Sequence, residues 1–372
     1  MSAGFFSVAG GLLLVHAVLL LLNAHAGQCG CYKRIFSFGD AMIDTGNFVQ
    51  LAAGKAASSK FKEAPYGMTF FRHPTGRICD GRVLIDFYAE ALQLPLIPPY
   101  VPEKDSGQFP HGANFAVYGA SAMGEGYNGH NDTVTSPWPL GQQTTWFEEM
   151  LQRIAPGGNG AKVRQILAES LIVMGEIGAI DYSSWFDVGG ASEDAVDVIP
   201  DVITYISHFI EEMILNQGAK AFLVPNILPM GCRPSYLSRF RSSNHSEYDE
   251  NGCLRWFNDF SQKHNQALAM NMGWLRRTYP NVTFIYADYY GAAMEFISNP
   301  GRFDIGDPLL ACCGGDGPYH TGGECNSTAK IWGDPAHFAS WDGVQLTEKA
   351  YSIIAEGVLN GKFANPPFPL RC

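Results

Sequence analysis

The chain has 372 residues and a formal net charge of −11, with 25 Lys and Arg against 36 Asp and Glu. No Lys/Arg cluster interrupts that acidity, which argues against nucleic acid or an anionic lipid surface as a partner. The acidity by itself names no partner.

Residues 1–26 carry no Asp, Glu, Lys or Arg. The run Gly11 to Leu22 has the length of a signal-peptide apolar core, and Ala24-His25-Ala26 supplies the small-x-small cleavage pattern. We therefore expect a removed signal peptide over 1–26 and a single domain over 27–372, long enough for a sizeable core. No later apolar run approaches the length of a membrane span, so no integral membrane association is expected.

Strand and helix signals then alternate, as in a parallel sheet covered on both faces. Ile35 to Phe38 reads as a buried strand broken by Gly39-Asp40. Gly81 to Leu92 reads as a helix with Leu84, Phe87, Tyr88 and Leu92 on one face. Asn114 to Val117 is a short candidate strand, Gln142 to Ile154 a helix and Ser170 to Glu176 a buried strand. Val196 to Gln217 has helical spacing, with Gly218 as its expected C-cap. Ala221 to Val224 reads as a strand, Trp256 to Arg277 as an amphipathic helix and Val282 to Ala287 as the last strand. Residues 301–342 form an irregular Gly- and Cys-rich segment, and Thr347 caps a final helix.

All nine cysteines, from Cys29 to Cys372, follow the expected cleavage point. In a secreted chain they read as disulfide partners, and the odd number leaves at least one thiol free or intermolecular. No Cys/His spacing resembles a zinc site, and no metal or cofactor is expected. Four Asn-x-Ser/Thr sequons, at Asn131, Asn244, Asn281 and Asn326, fit glycosylation on the secretory route.

Several blocks recur in order: Phe36-Ser37-Phe38-Gly39-Asp40-Ala41 running on to Asp44-Thr45-Gly46-Asn47, then Pro74-Thr75-Gly76-Arg77 and Asp80-Gly81-Arg82. Asn114-Phe115-Ala116-Val117-Tyr118-Gly119-Ala120 and Gly175-Glu176-Ile177-Gly178-Ala179-Ile180-Asp181-Tyr182 follow. Asn226 to Pro234, His264-Asn265 and Ser340-Trp341-Asp342-Gly343-Val344-Gln345 complete the set. Together they resemble the plant form of the GDSL esterase/lipase (SGNH hydrolase) family over nearly the whole mature chain. The resemblance implies a monomeric three-layer α/β/α domain with a central parallel sheet, related to the flavodoxin-like arrangement. It also implies acyl esters, of lipids or glycans, as the ancestral substrates, and a plant extracellular setting.

That family's chemistry uses a serine nucleophile, a histidine base, an aspartate three residues before it, and an oxyanion hole. The hole is formed by backbone N–H groups at the serine and a glycine, with an asparagine side chain. Carried over by position, the serine is Ala41, the glycine Gly119, the asparagine Ile180, and the Asp/His pair Asp342 and Gln345. Ala41 has no heteroatom to acylate, Ile180 no amide to donate, and Gln345 no useful pKa for moving a proton. Asp342 and Gly119 are retained, with plausible structural roles in a turn and in a backbone conformation closed to side chains.

The expectation is a secreted pseudoenzyme that binds an acyl ester, lipid or glycan ligand, or a protein. The alternative is a hydrolase with relocated groups: Ser37, Ser340 or His337 near the motifs, or Asp40 with Asp342 as a carboxylate pair. A purely structural wall or matrix role is a third reading. The resemblance also implies a cysteine at position 333, which is Gly333 here, and this bears on the odd count.

Overall fold

The computed structural model describes residues 31–102, 109–124, 138–157, 159–189 and 193–370. The expected signal peptide, Cys29, Cys372 and the Asn131 sequon lie outside the described residues.

A six-stranded sheet organises the chain, in the order β2-β1-β3-β4-β5-β8. Its members are β1 (Arg34–Phe38), β2 (Gly112–Asn114), β3 (Ser170–Met174), β4 (Ala221–Pro225), β5 (Thr283–Ala287) and β8 (Ala364–Asn365). The first five run parallel. A separate two-stranded ribbon, β6 (Cys313–Gly314) with β7 (Lys330–Ile331), lies in the Cys-rich segment.

The strands are apolar on both faces, as a sheet covered on both sides demands. Phe36, Phe38, Ile172, Met174, Phe222 and Val224 enter one buried cluster. Their alternate neighbours Ile35, Leu171, Val173 and Leu223 enter the other. Helices cover both faces, which gives the three-layer α/β/α fold.

Besides the helix Ala179–Gly189 that follows β3, seven helices of eight residues or more fill those layers among the described residues: α1 (Leu84–Ala91), α2 (Leu140–Ile154), α3 (Gly160–Ala168), α4 (Ile199–Glu212), α5 (Arg255–Thr278), α6 (Tyr289–Ser298) and α7 (Glu348–Leu359). Thr347 caps α7 as expected, its Oγ1 accepting from the Ala350 N–H at 3.2 Å. The long helix expected over 196–217 is divided. A 3₁₀ turn precedes α4, and its last turn widens to a π-turn over Met213–Gln217 before Gly218 (φ 81°) ends it.

Two sequence expectations are corrected. The strand expected at Asn114–Val117 ends at Asn114, because Asn114 Oδ1 accepts from the Ala116 N–H at 2.8 Å and turns the chain out of the sheet. The strand at 283–287 is not the last, since β8 adds antiparallel to its free edge. Helices α3 and α6 and the helix Ala179–Gly189 carry no expectation from the sequence, and all three are present.

The Pro-Thr-Gly-Arg and Asp-Gly-Arg elements tie layers together. Arg77 makes a buried two-pronged contact to Asp86 on α1, with both bonds at 2.7 Å. Asp80 accepts from the Glu348 N–H at 2.8 Å, and Arg82 pairs with the Glu348 carboxylate at 2.9 Å. These contacts fix the start of α7 directly after the last motif block.

Disulfides join Cys232 to Cys253 and Cys313 to Cys325. Cys31 is also disulfide-bonded. Cys79 and Cys312 are free and buried. The Cys312 Sγ lies 3.7 Å from the Gly333 carbonyl oxygen, against the position where the resemblance implies a cysteine. A Cβ at 333 would meet only the Phe338 ring edge, at 3.2 Å. We predict that Gly333→Cys closes a bridge to Cys312. Thiol titration of the denatured, unreduced variant should then show one thiol fewer than wild type; one thiol more would refute the pairing.

Candidate functional site

The chain leaves β1 toward β2 on one side of it and later returns to β3 on the other. The carboxyl ends of β1 and β3 thus flank a topological switch point, where parallel α/β folds form crevices. Gly39, directly after β1, has φ +134°, and a Cβ there would approach the Gly175 backbone to 3.0 Å. This close approach, with the Gly175 N–H bonded to the Phe38 oxygen at 2.6 Å, sets the two strand ends side by side. The Gln143 amide of α2 clasps Gly39 from the other side, accepting from its N–H at 2.8 Å and donating to its carbonyl at 2.9 Å.

Asp44 joins the loop after β1 to the loop after β2. Its carboxylate accepts four backbone N–H bonds, from Gly46 and Asn47 at 2.7 Å, Tyr118 at 2.9 Å and Phe48 at 3.1 Å. Asn47 donates to the carbonyls of Asn114 and Ala116 at 2.7 and 2.9 Å. Asp181 extends the clamp by accepting from the N–H groups of Ala122 and Met123. The polar residues of the Asp-Thr-Gly-Asn stretch therefore hold Gly119 next to Ala41.

A cavity of about 60 Å³ opens at this junction, and Ala41, Gly119, Ile180 and Gln345 all line it. On a solvent-probe measure that is room for only a few waters. Asp342 is not on its wall. One Asp342 oxygen accepts from the N–H groups of Val344 (3.0 Å) and Gln345 (2.7 Å), and the other accepts from the Tyr66 hydroxyl at 3.0 Å. Asp342 thus shapes the turn that presents Gln345. Gly119 has φ 78° with no atom within 4 Å of a built Cβ, so its backbone conformation, not crowding, favours glycine. Gln345 accepts weakly from the Tyr351 hydroxyl at 3.4 Å.

The proposed relocated groups are not gathered here. His337 is exposed, with Nδ1 held 2.8 Å from the Asp304 carbonyl oxygen. Ser340 is buried, its Oγ donating to the Gln345 carbonyl and accepting from the Gly343 N–H. Ser37 is buried within β1 and is not on the cavity wall. Asp40 does line the cavity, and its Oδ1 accepts from the Met42 N–H at 3.1 Å.

The structure adds two charged groups that sequence reasoning did not single out, Glu176 and Arg233. Both lie inside quoted motif blocks, and the available signal was a charge directly after an apolar strand or a buried cysteine. Glu176 is buried and accepts from the Leu228 N–H at 3.1 Å. Burial, reinforced by the Glu176 charge, pushes the Asp40 carboxyl well above the usual carboxylate range. Burial also raises Glu176, against the opposing pull of Arg233 and the Leu228 N–H. The carboxyl pair at the cavity is therefore Asp40 with Glu176, not Asp40 with Asp342. Among the described residues no group of three or more His, Cys, Asp or Glu is placed to hold a metal ion.

The profile of the GDSL-like lipase/acylhydrolase family matches residues 35–358. The chain belongs to this family. A GDSL esterase/lipase of Arabidopsis thaliana is 41% identical over 373 residues, covering 97% of this chain and 92% of the relative. Another from the same plant is 40% identical over 380 residues, covering 100% and 96%. The sinapine esterase of Brassica napus is 36% identical over 368 residues, covering 97% and 93%. The GDSL assignment thus spans the whole described sheet up to β5 and α7. Among the described residues no helix is long and apolar enough to cross a membrane.

Burial raises the carboxyls of Asp44 and Asp181 from 3.8 to about 6, outweighing the N–H bonds each accepts. Between those values the folded chain holds protons that the unfolded chain has released, so stability rises as pH falls through that window. Thermal unfolding at constant ionic strength should therefore show a more stable protein at pH 5 than at pH 7, by more than about 1 kcal/mol. Equal or lower stability at pH 5 would contradict this assignment.

Proposed function

We propose that this GDSL-family chain is a secreted, glycosylated pseudoenzyme that binds an acyl ligand in the cleft without hydrolysing it. One observation carries the reading. Among the cavity's described lining residues there is no Ser, Thr, Cys, Lys or His, while both backbone oxyanion positions, Ala41 and Gly119, remain on the wall. Neither of their N–H groups has an acceptor among the described residues. The site keeps groups that hold a carbonyl and lacks both a serine-type nucleophile to attack it and an imidazole to activate one; the only side chains there with acid–base capacity near neutrality, among the described residues, are the Asp40 and Glu176 carboxyls.

The relatives' names indicate esters as the ligand class. A larger open groove of about 590 Å³, bordered by Phe48, Lys60, Phe61 and Asn326, shares Tyr118 with the cavity and offers room for the remainder of such a ligand. Secretion is supported by the apolar leader with its cleavage pattern, and glycosylation by the surface position of Asn244 and Asn281 with Asn326 half-exposed. A monomer of one domain over 27–372 completes the proposal.

A second reading draws on the raised carboxyls of Asp40 and Glu176, which are suited to acid–base hydrolysis of a glycoside. It requires turnover of aryl glycosides that Asp40→Asn and Glu176→Gln each abolish.

The main test is hydrolysis of short-acyl p-nitrophenyl esters by the purified mature glycoprotein. Wild type should match its heat-treated control. Ala41→Ser alone should stay silent for want of a base, and the triple change Ala41→Ser, Ile180→Asn, Gln345→His should gain activity. Restoring the asparagine is expected to contribute about a hundredfold or more to that rate. Wild-type turnover well above the control would refute the pseudoenzyme reading.

A further inference from the structure

Arg233 stands at the junction of two cavities. It lines the cavity at Ala41 and also an adjoining apolar one of about 40 Å³, whose walls include Ala293, Phe296 and Ile297. Leu228, Val344 and Leu346 are common to both, so an apolar wall runs continuously from one to the other. The Cys232–Cys253 disulfide and the Arg233 N–H bond to the Met230 oxygen at 3.2 Å fix the backbone here.

The guanidinium is half-buried, yet among the described residues it makes no ion pair and no side-chain hydrogen bond. Its one close partner is the Tyr236 ring, with the centroid 5.2 Å away. Asp40 and Glu176 feel its field, but neither forms an ion pair with it among the described residues. Other donors on the same wall are also open among the described residues: the N–H groups of Ala41 and Gly119, the Tyr118 hydroxyl and the Gln345 Nε2.

Donors held in a half-dry cleft without acceptors cost free energy unless a ligand or water supplies oxygen atoms. A neutral ester carbonyl supplies one. A carboxylate supplies two charged oxygens that match the planar fork of an arginine.

We propose that the cleft is a receptor for a free carboxylate bearing a short apolar tail, with the carboxylate on Arg233 and the cavity's N–H donors. The tail runs along Leu228, Val344 and Leu346 toward Phe296 and Ile297. This deepens the pseudoenzyme reading and rests on it: the preferred ligand is the acid that an esterase would release, not the ester it would cleave.

Calorimetric titration of the purified glycoprotein with hexanoate and with its neutral isostere hexanamide tests the proposal. Wild type should bind hexanoate about tenfold tighter or more, and Arg233→Met should reduce that preference to near equality. Should the Met variant fail to fold by circular dichroism, Arg233→Lys, which keeps the charge and loses the fork, should show a smaller preference than wild type. Equal binding of the two ligands by wild type, or an undiminished preference in the folded Met variant, overturns the proposal. The same preparations are assayed on p-nitrophenyl hexanoate. Silence there with no carboxylate preference overturns this inference alone, whereas hydrolysis above the heated control overturns the reading beneath it.

Discussion

The cleft depends on one buried carboxylate, Asp44, and the four backbone N–H groups it accepts. Three come from the turn that follows the first strand, and the fourth comes from Tyr118 after the second. Through these bonds, and those from Asn47 to the Asn114 and Ala116 carbonyls, two loops are held at a fixed separation, and Ala41 and Gly119 line one cavity. The Gly39–Gly175 contact and the Gln143 clasp add the third strand end and a helix to the same frame. None of these interactions involves the side chain at 41, 180 or 345. The frame of a GDSL-family cleft is therefore mechanically separate from the groups that do chemistry in it, and the side chains at those positions can differ without loosening the strand ends.

Asp342 and Gly119 likewise have structural roles that do not depend on the side chains at 41, 180 and 345. Asp342 satisfies two N–H groups and a tyrosine hydroxyl in the turn before the last helix, and Gly119 occupies a left-handed backbone conformation. Both have work that does not require turnover. On the proposed reading, Ala41 and Ile180 place apolar surface in the cleft, which favours stability over reactivity. The result is a small chamber lined by open backbone N–H groups, two carboxyls and an arginine, and that arginine also lines an adjoining apolar cavity.

Much of the fold was legible in the sequence because its strands are apolar on both faces. Runs such as Ser170–Met174 and Ala221–Pro225 have no amphipathic ambiguity, and the helices in 196–217 and 256–277 carry clear 3.6-residue spacing. The misses have physical causes. The last strand, β8, has only two residues, too few for any periodicity, and it forms only because the edge of β5 is available. Helix α6, Tyr289–Ser298, is rich in small and aromatic residues, and its start depends on Asp288 accepting from the Gly291 N–H. At the site, the positions of Ala41, Gly119, Ile180 and Gln345 followed from motif order, and the structure brings all four to one wall. Glu176 and Arg233 did not follow. Their meaning lies in a meeting across more than fifty residues of chain that no local pattern encodes.

The most direct measurement is intact-mass spectrometry of the native glycoprotein after exposure to an alkyl fluorophosphonate, which traps an activated serine covalently. The account predicts an unchanged mass, because no serine, threonine or cysteine lines the cavity among the described residues. A stoichiometric adduct that prior heat denaturation prevents would contradict it and would place a working nucleophile in this chain.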